Sequence, residues 1–291
     1  MNNITAIILN YNDWQTTNTL VSNIVDYKSI NNIVIVDNCS KNESFSKLSS
    51  WKSKKVHVIK TNKNGGYGYG NNVGINFAKK FATNYFLICN PDVEFEEDLV
   101  DKMVEALNDN SLNVCCSAIP YQPNGKLQKK YAWRVPSALS ATLACGKVLQ
   151  KFYNFDWYPD TYCMEKKYTQ VECVPGSLVM FNSLAIKELK TVYDENVFLY
   201  YEETILGFRL KSKGYNTIII NDRYVHHHSI SINKTIKSTV EQRKIMYESL
   251  MYYIERYLKP NKFTVYFCKA YLSLIIYENY FDGLINKLKN K

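Results

Sequence analysis

Short, nearly continuous apolar runs recur through the first third of the chain and are separated by stretches long enough to form helices. Such runs are typical of strands that are buried on both faces of a parallel sheet. The runs are Ile4 to Leu9, Ile33 to Asp37, Val56 to Lys60 and Tyr85 to Cys89. The intervening helices are expected at 14–27, 43–51 and 71–82. Because parallel neighbours require crossover helices, the pattern predicts an α/β fold with a doubly wound, mostly parallel central sheet.

Polar residues rich in Asn and Asp follow all four predicted strands. Ligands of open parallel sheets bind at the carboxyl ends of the strands. The sequence therefore predicts a binding site along this edge. Its segments are Asn10-Tyr11-Asn12, Asp37-Asn38, Asn62-Lys63-Asn64-Gly65-Gly66 and Asn90-Pro91-Asp92.

Five of the 11 glycines lie between Gly65 and Gly74. That density indicates a backbone that approaches a ligand or turns sharply, although an ordinary flexible loop is the alternative. The stretch matches neither GxxxxGK[ST] nor GxGxxG, which disfavours P-loop and dinucleotide-binding folds.

Two acidic segments are candidates for chemistry. Asp92, directly after a buried strand, could ligate Mg²⁺ or Mn²⁺ between two phosphates, or it could cap a helix that begins near Glu96. Glu202 and Glu203 follow an aromatic run, where burial would raise a carboxyl pKa and suit a general base. Their alternative role is to favour a helix N-terminus through its dipole.

Three consecutive histidines follow a short predicted strand at 218–220. In an extended chain, His226 and His228 share one face and His227 points away, so at most two can serve one ion. Without a CxxC or HExxH pattern, a structural zinc site is disfavoured. A histidine that completes an Asp-based metal site or contacts phosphate is favoured instead.

The second half of the chain begins near Val114 and opens with a stretch rich in Tyr and Trp. We predict a strand over 171–181, which carries Pro175-Gly176, and a helix over 202–213 that Gly214 ends. A helical tail follows from Thr239, with a break at Pro260 and a second helix from about Phe263.

The tail is basic and aromatic. Residues 234–291 carry eleven Lys or Arg and five Asp or Glu, and so supply six of the nine net positive charges. Eleven Tyr or Phe lie between Tyr247 and Phe281. This combination suits an anionic membrane surface, and a helix that simply covers the core is the alternative. No run is long enough to span a bilayer, and no nucleic-acid motif accompanies the charge.

The amino-acid composition limits the class of protein and indicates its cellular compartment. The 291 residues are 46% hydrophobic with only 7 Pro, which excludes disordered and fibrous chains. The 8 cysteines form no CxxC pair and follow no signal-peptide pattern, which predicts a reducing cytoplasm. The absence of a GxSxG elbow argues against Ser/His/Asp hydrolysis.

Taken in order, these motifs resemble the family 2 glycosyltransferases, and in particular bacterial rhamnosyltransferase-like and capsule or O-antigen members. The resemblance covers residues 4 to about 258. It rests on Ile7-Ile8-Leu9-Asn10-Tyr11-Asn12, Ile35-Val36-Asp37-Asn38-Cys39-Ser40, the segment Asn62 to Gly74, and Cys89-Asn90-Pro91-Asp92-Val93.

The resemblance implies a GT-A type fold and metal-dependent, inverting transfer from a UDP- or dTDP-linked sugar to a saccharide hydroxyl. Asp92 matches the last acid of the family's DxD metal motif, whose first acid is Asn90 here. Glu203 occupies the position of the base, and a later acid of that motif is replaced by Ile205, which leaves Glu202 open as an alternative. His226 or His228 would reach the metal or diphosphate, and Gly176-Ser177 would lie at the donor sugar and acceptor. The implied nucleotide-binding residues are Asn10, Tyr11, Asn12, Asp37, Asn38, Asn64, Gly65, Gly66, Asn71 and Asn90.

The predicted organisation is a catalytic domain over 1–235 and a helical extension over 236–291. Residues 1–113 would form the nucleotide-binding half and 114–235 the acceptor-binding half. The acceptor is expected to be a lipid-linked surface glycan, met by the tail at the inner face of the plasma membrane. A nucleotide-sugar-binding protein without catalysis, or a membrane- or glycan-binding scaffold, remains the alternative.

Overall fold

The computed structural model describes residues 2–146, 149, 156–227 and 236–289. In this part of the chain, nine strands form one mixed sheet. The strands are β1 Ile4–Asn10, β2 Asn32–Asp37, β3 Val56–Lys60, β4 Tyr85–Cys89, β5 Val93–Glu94, β6 Asn113–Tyr121, β7 Tyr168–Val171, β8 Leu178–Asn182 and β9 Asn216–His226. Their order is β3-β2-β1-β4-β8-β6-β9-β5, and β7 pairs with β9.

Helices cover the sheet on both faces. They are α1 Trp14–Ile24, α2 Ser44–Leu48, α3 Tyr67–Ala78, α4 Glu97–Asn108, α5 Ala138–Leu143, α6 Ser183–Leu189, α7 Glu202–Ser212, α8 Ile236–Tyr253 and α9 Lys262–Lys289. A π-helical turn over Ile254–Leu258 joins α8 to α9. Two large apolar clusters lie on the two sides of the sheet, as a doubly wound fold requires.

The first four strands are parallel and follow the predicted positions. In the register of β1 and β2, Asn10 lies opposite Asp37, so the polar residues at the ends of these strands meet at one edge. The predicted α/β class is confirmed. Beyond β4 the sheet becomes mixed, since β8 runs antiparallel to both β4 and β6 whereas β6 and β9 are parallel.

The segment predicted as one strand over 171–181 forms two strands instead. β7 pairs with β9, whereas β8 lies between β4 and β6. The chain must therefore leave one pairing partner and cross to others, and residues 172–177 make that connection. This connection carries Gly176 and Ser177 towards the carboxyl edge of β4.

The glycine-rich stretch is mostly helix, and α3 starts four residues earlier than predicted. A Cβ atom on Gly74 would lie 2.5 Å from Ile7 Cγ2 and 2.9 Å from Val36 Cγ2. One on Gly70 would collide with the Leu9 side chain. These glycines let α3 pack closely against β1 and β2, which accounts for part of the glycine density.

The C-terminal helices pack on the body of the protein through a third apolar cluster. Leu250 of α8 and Ile254 are fully buried there, together with Cys268 and Leu272 of α9. The partners include Ala138 of α5 and Ile205 of α7. None of the helices in the described ranges is long and apolar enough to cross a membrane. The division of the chain at residue 235 stays a prediction.

We expect Gly74→Ala to destabilise the protein by about 1–3 kcal/mol, because the new methyl group overpacks the contact with β1 and β2. In a helix with open space around it, the same change would stabilise the protein by up to about 1 kcal/mol. The sign of the effect therefore distinguishes overpacking from helix propensity. Urea unfolding measures it. Asn76→Ala, on the exposed face of α3, is the control, and a Gly74→Ala protein as stable as this control would contradict the packing argument.

Candidate active site

The ends of β1 and β2 are tied together by buried polar side chains. Asn10 Nδ2 donates to Asp37 Oδ1 at 2.9 Å, and Ser40 N–H donates to Asp37 Oδ2 at 3.1 Å. Asn10 and Asp37 are completely buried. Asn12 joins the same region, because its Oδ1 accepts the Lys41 N–H at 2.8 Å. These bonds hold the loops after both strands in fixed positions.

The loop after β3 is fastened to the loop after β2. Asn38 Nδ2 donates to Asn64 Oδ1 at 3.0 Å and to the Gly66 carbonyl at 3.1 Å, and Asn64 Oδ1 also accepts the Gly66 N–H. Gly66 has φ 92°, a left-handed conformation that favours glycine. A Cβ atom there would also overlap the Phe198 carbonyl oxygen. Gly66 therefore sits where the loop after β3 meets the loop before α7.

Tyr67 is the residue that joins this loop to the second half of the protein. Its N–H donates to the Phe198 carbonyl at 3.1 Å, and its hydroxyl donates to the Gly176 carbonyl at 2.7 Å. Its ring packs edge-on against Tyr193, with 5.6 Å between ring centroids. No sequence pattern indicates this role, because both acceptors are backbone atoms more than 100 residues away.

Asp92 and His226 meet because the short strand β5 pairs with the end of β9. Val93 lies opposite His226 in that pairing, and the His227 N–H donates to the Asp92 carbonyl at 2.8 Å. His226 Nε2 consequently lies 3.4 Å from Asp92 Oδ1. His227 points away and contacts Glu94 at 3.1 Å, as alternation along a strand predicts. His228 lies outside the described residues.

Hydrogen bonds join the 172–177 connection to Asn90 and Tyr224, which lie two positions before Asp92 and His226. The Ser177 and Tyr224 hydroxyls lie 2.7 Å apart, and the Asn90 N–H donates to the Ser177 carbonyl at 2.8 Å. A Cβ atom on the neighbouring Gly176 would lie 2.7 Å from Glu203 Oε1, so this carboxylate sits directly against the 172–177 connection. The predicted residues Asn90, Gly176 and Ser177 therefore lie between the candidate metal ligands and the candidate base.

The two acids of α7 differ in their surroundings. Burial raises the pKa of Glu203, and hydrogen bonds from the backbone of Glu203 and Gly176 oppose that rise. Glu202 is more deeply buried, with Oε1 lacking a hydrogen-bond partner, and burial together with the Glu203 charge raises its pKa to about 8. Glu203 lines a cavity at this site, whereas Glu202 does not appear in its wall.

The chain enters α7 through two aromatic residues with left-handed backbones. Tyr200 has φ 70° and Tyr201 has φ 66°, which is rare for bulky side chains. Such strain persists only where the surroundings enforce it, and it is concentrated at functional sites. Here it turns the chain so that the first residues of α7 are the two acids.

A cavity of about 600 Å³ opens beside Glu203. One wall carries Trp133 and Trp157, and another comes from α5 and α8, including Arg243. The Trp133 and Trp157 rings lie 5.4 Å apart, centroid to centroid. Both tryptophans fall in a stretch rich in Tyr and Trp, from Tyr121 to Tyr168, and this composition could have identified them as candidates.

The remaining predicted site residues lie at the same edge with different exposure. Tyr11 is 42% exposed beside the loops after β1 and β2. Asn71 is buried inside α3, where its Nδ2 donates to the Tyr67 carbonyl at 3.1 Å and its Oδ1 lacks a partner. Gly65 packs against the Tyr69 ring. Asn71 thus supports the loop from beneath.

The family model described as Glycosyl transferase family 2 matches residues 5–188. The low-salt glycan biosynthesis hexosyltransferase Agl10 of Haloferax volcanii is 23% identical over 218 residues, which cover 74% of this chain and 64% of that protein. The chain thus spans less than two thirds of the length of this relative.

Two solved structures share the fold. The mannosyltransferase PcManGT from Pyrobaculum calidifontis, in complex with GDP-Man and Mn²⁺, aligns with a TM-score of 0.56 at 16% identity, over 99% of this chain and 75% of that one. GalNAc-T7 with UDP, GalNAc and Mn²⁺ aligns with a TM-score of 0.59 at 12% identity, over 87% of this chain and 51% of that one. The expected GT-A architecture is confirmed.

Glu202 makes a pH-dependent contribution to stability whose sign can be tested. Its carboxyl keeps a proton to about pH 8 in the folded state but loses it near the ordinary value of 4.5 when unfolded. Its contribution to the free energy of unfolding is therefore present at low pH and declines as the pH rises from 4.5 to 8. We expect Glu202→Gln to match the parent at pH 5 and to be more stable by about 1 kcal/mol or more at pH 8.

Urea unfolding at both pH values measures this difference. Glu248→Gln, at an exposed position of α8, is the control and should behave like the parent at both. A Glu202→Gln effect of equal size at pH 5 and pH 8 would show that the carboxyl is not protonated in the folded protein.

Proposed function

The chain belongs to glycosyl transferase family 2, and we propose that it moves a sugar from a nucleotide-diphosphate donor to a hydroxyl of a saccharide acceptor. The observation that carries the proposal is the position of Glu203. It lines a cavity of about 600 Å³ and touches the same connection whose Ser177 is linked to Asn90 at the carboxyl edge of the sheet. The candidate base thus lies at an open space and against a connection that reaches Asn90, two residues before Asp92.

The arrangement of acids supports inverting transfer. That reaction needs one carboxylate to remove the proton of the acceptor hydroxyl while the diphosphate leaves from the opposite side, and it needs no covalent nucleophile. Glu203 is better suited than Glu202 to be this base, since it is half-buried at the cavity wall whereas Glu202 is enclosed. The raised pKa of Glu203, caused by burial, makes its carboxylate a stronger base.

Asp92 and His226 are the residues that would hold a divalent ion. A carboxylate oxygen and an imidazole nitrogen 3.4 Å apart suit Mn²⁺, and Mg²⁺ would rely mainly on the carboxylate. Within the described ranges, no group of three His, Cys, Asp or Glu side chains could hold a metal. The donor diphosphate would therefore supply further ligands. A bound ion would stabilise the negative charge of the departing diphosphate.

The nucleotide would lie along the edge formed by the loops after β1, β2 and β3. Tyr11 offers an exposed ring for the base, while Asn10 and Asp37 fix the loops behind it. Asn38, Asn64 and the glycines at 65 and 66 would close over the ribose and diphosphate. We propose UDP or dTDP as the carrier, with rhamnose, galactose or glucose as the sugar and a lipid-linked acceptor of capsule or O-antigen synthesis.

The donor class and the base can be tested together. We expect UDP or dTDP, or their sugars, to raise the melting temperature only with Mn²⁺ or Mg²⁺, because ligands that bind the native state stabilise it. Asp92→Asn should abolish the metal-dependent part of this shift.

Glu203→Gln should keep the shift in melting temperature, because the substitution preserves the shape of the site. It should reduce sugar transfer on the order of 100- to 10,000-fold, measured as nucleoside diphosphate released with saccharide acceptors.

The outcomes separate the alternatives. A shift without any Glu203-dependent turnover would support a nucleotide-sugar-binding protein that does not catalyse transfer. The absence of a shift with every nucleotide would support the scaffold alternative. Asn76→Ala, outside the site, should match the parent in both assays.

Helix α9 has an exposed face that is rich in aromatic residues. One face of this helix carries Phe263, Tyr266, Phe267 and Leu274, which are 80%, 75%, 37% and 69% exposed. Residues three, four and eleven positions apart share one helix face, so these four form a stripe. The opposite face, with Cys268, is buried in the third apolar cluster.

Lysines accompany the exposed stripe. Lys262 and Lys269 line a shallow groove with Tyr266, and Lys269 also pairs with Glu255 at 2.6 Å. Aromatic rings with neighbouring lysines suit the headgroup region of an anionic membrane. We therefore propose that this stripe binds the inner face of the plasma membrane, where a lipid-linked acceptor would be found.

We expect the double variant Phe263→Ser with Tyr266→Ser to bind anionic vesicles at least about tenfold more weakly, because two exposed aromatic side chains no longer enter the interface. Co-sedimentation with vesicles of phosphatidylglycerol and phosphatidylcholine measures this. Leu112→Ser, at another exposed apolar position, is the matched control. Equal binding of the parent to anionic and purely neutral vesicles would contradict the proposed surface.

A further inference from the structure

The cavity beside Glu203 has an aromatic platform fixed in place. Trp133 Nε1 donates to Thr204 Oγ1 at 3.1 Å, and Trp133 also pairs through its backbone with Cys173 and Trp157. The two tryptophan rings are half-buried and tilted at 53° to each other. Rigid aromatic faces with few placed polar groups are typical of small-molecule sites. Such faces suit the apolar side of a sugar ring.

Cationic groups reach the same cavity. Arg243 projects from α8 as a half-buried side chain beside the hydroxyl of Tyr247. The ion pairs found among the described residues do not include Arg243. Lys130 lies on the opposite tryptophan wall, with its ammonium 6.0 Å from the centre of the Trp157 ring.

Two acids, Glu203 and Asp156, also line the cavity. Among the described residues, no ion pair joins Arg243 to either of them. A guanidinium is planar and presents paired donors that match carboxylate and phosphate oxygens. A half-buried arginine at the wall of an aromatic cavity therefore suits a ligand that brings its own anionic group.

We propose that this cavity binds an acceptor saccharide carrying a phosphate or carboxylate group, and that Arg243 selects for that group. A sugar ring would stack on the Trp133 and Trp157 platform while a hydroxyl points to Glu203. This inference rests on the proposed function, since it names the acceptor class of the same site. Arg243 comes from the C-terminal helices, so α8 would determine acceptor specificity while the sheet edge binds the donor.

Three probes test the inference: methyl glucoside as the neutral sugar, glucose 1-phosphate as the phosphate source and glucuronic acid as the carboxylate source. Binding is followed by tryptophan fluorescence with UDP and Mn²⁺ present to fill the donor site, and again without them. We expect at least one charged probe to bind fivefold or more tighter than methyl glucoside. The charged probe that binds more tightly shows whether the cavity prefers a phosphate or a carboxylate. Trp133→Phe should remove most of the fluorescence change.

The variants isolate the role of the charge. Arg243→Gln should bring the preferred charged probe to the affinity of methyl glucoside, and Arg243→Lys should retain part of the preference. Lys244→Gln, the exposed neighbour on α8, is the matched control and should keep it entirely. Equal binding of all three probes to the parent, no Trp133-dependent signal, or an unchanged preference in Arg243→Gln would each overturn the inference.

Failure of this inference can be told apart from failure of the proposed function. Asp92→Asn should leave probe binding intact while abolishing the metal-dependent nucleotide shift. Arg243-dependent probe binding in a protein that binds no nucleotide would remove the transferase proposal. A normal nucleotide shift without any effect of Arg243 would remove only the anionic acceptor.

Discussion

The docking of Gly66 and Tyr67 on the loop before α7 is the contact on which the rest of the site depends. Gly66 must be a glycine there, because its left-handed backbone lies against the Phe198 carbonyl. Tyr67 then bonds Phe198 with its backbone and Gly176 with its hydroxyl. One short turn thereby connects the edge that would hold a nucleotide to both segments that surround Glu203. Since reacting groups must be held in a precise geometry, this rigidity would serve the proposed transfer reaction.

Burial gives the two acids of α7 different properties. Both carboxyl groups lose solvation, and each is affected by the other, so they cannot both ionise easily. The one at the cavity wall keeps access to a substrate and a backbone hydrogen bond from Gly176. Burial and the neighbouring Glu203 charge raise the pKa of the enclosed one, so the two carboxyl groups lose their protons in separate steps. Two adjacent glutamates can thus have different roles.

Of the two C-terminal helices, α8 lines the cavity beside Glu203. One side of α9 packs into the third apolar cluster with α5 and α8, and this packing sets the position of the cavity wall that carries Arg243. The other side of α9 exposes aromatic residues. An acceptor bound in the cavity and a membrane bound at α9 would therefore be positioned by the same pair of helices.

The sequence by itself determined the parallel half of the sheet, because continuous apolar runs with crossover-length spacers leave few alternatives. It also placed Asp37, Asp92 and the acids of α7 at strand or helix ends, where local pattern decides position. Only the tertiary structure decided that 171–181 splits into two strands, that glycines 70 and 74 serve helix packing, and that Tyr67 and Arg243 reach the site. Those outcomes depend on partners that lie tens to more than a hundred residues away, and no local periodicity carries that information.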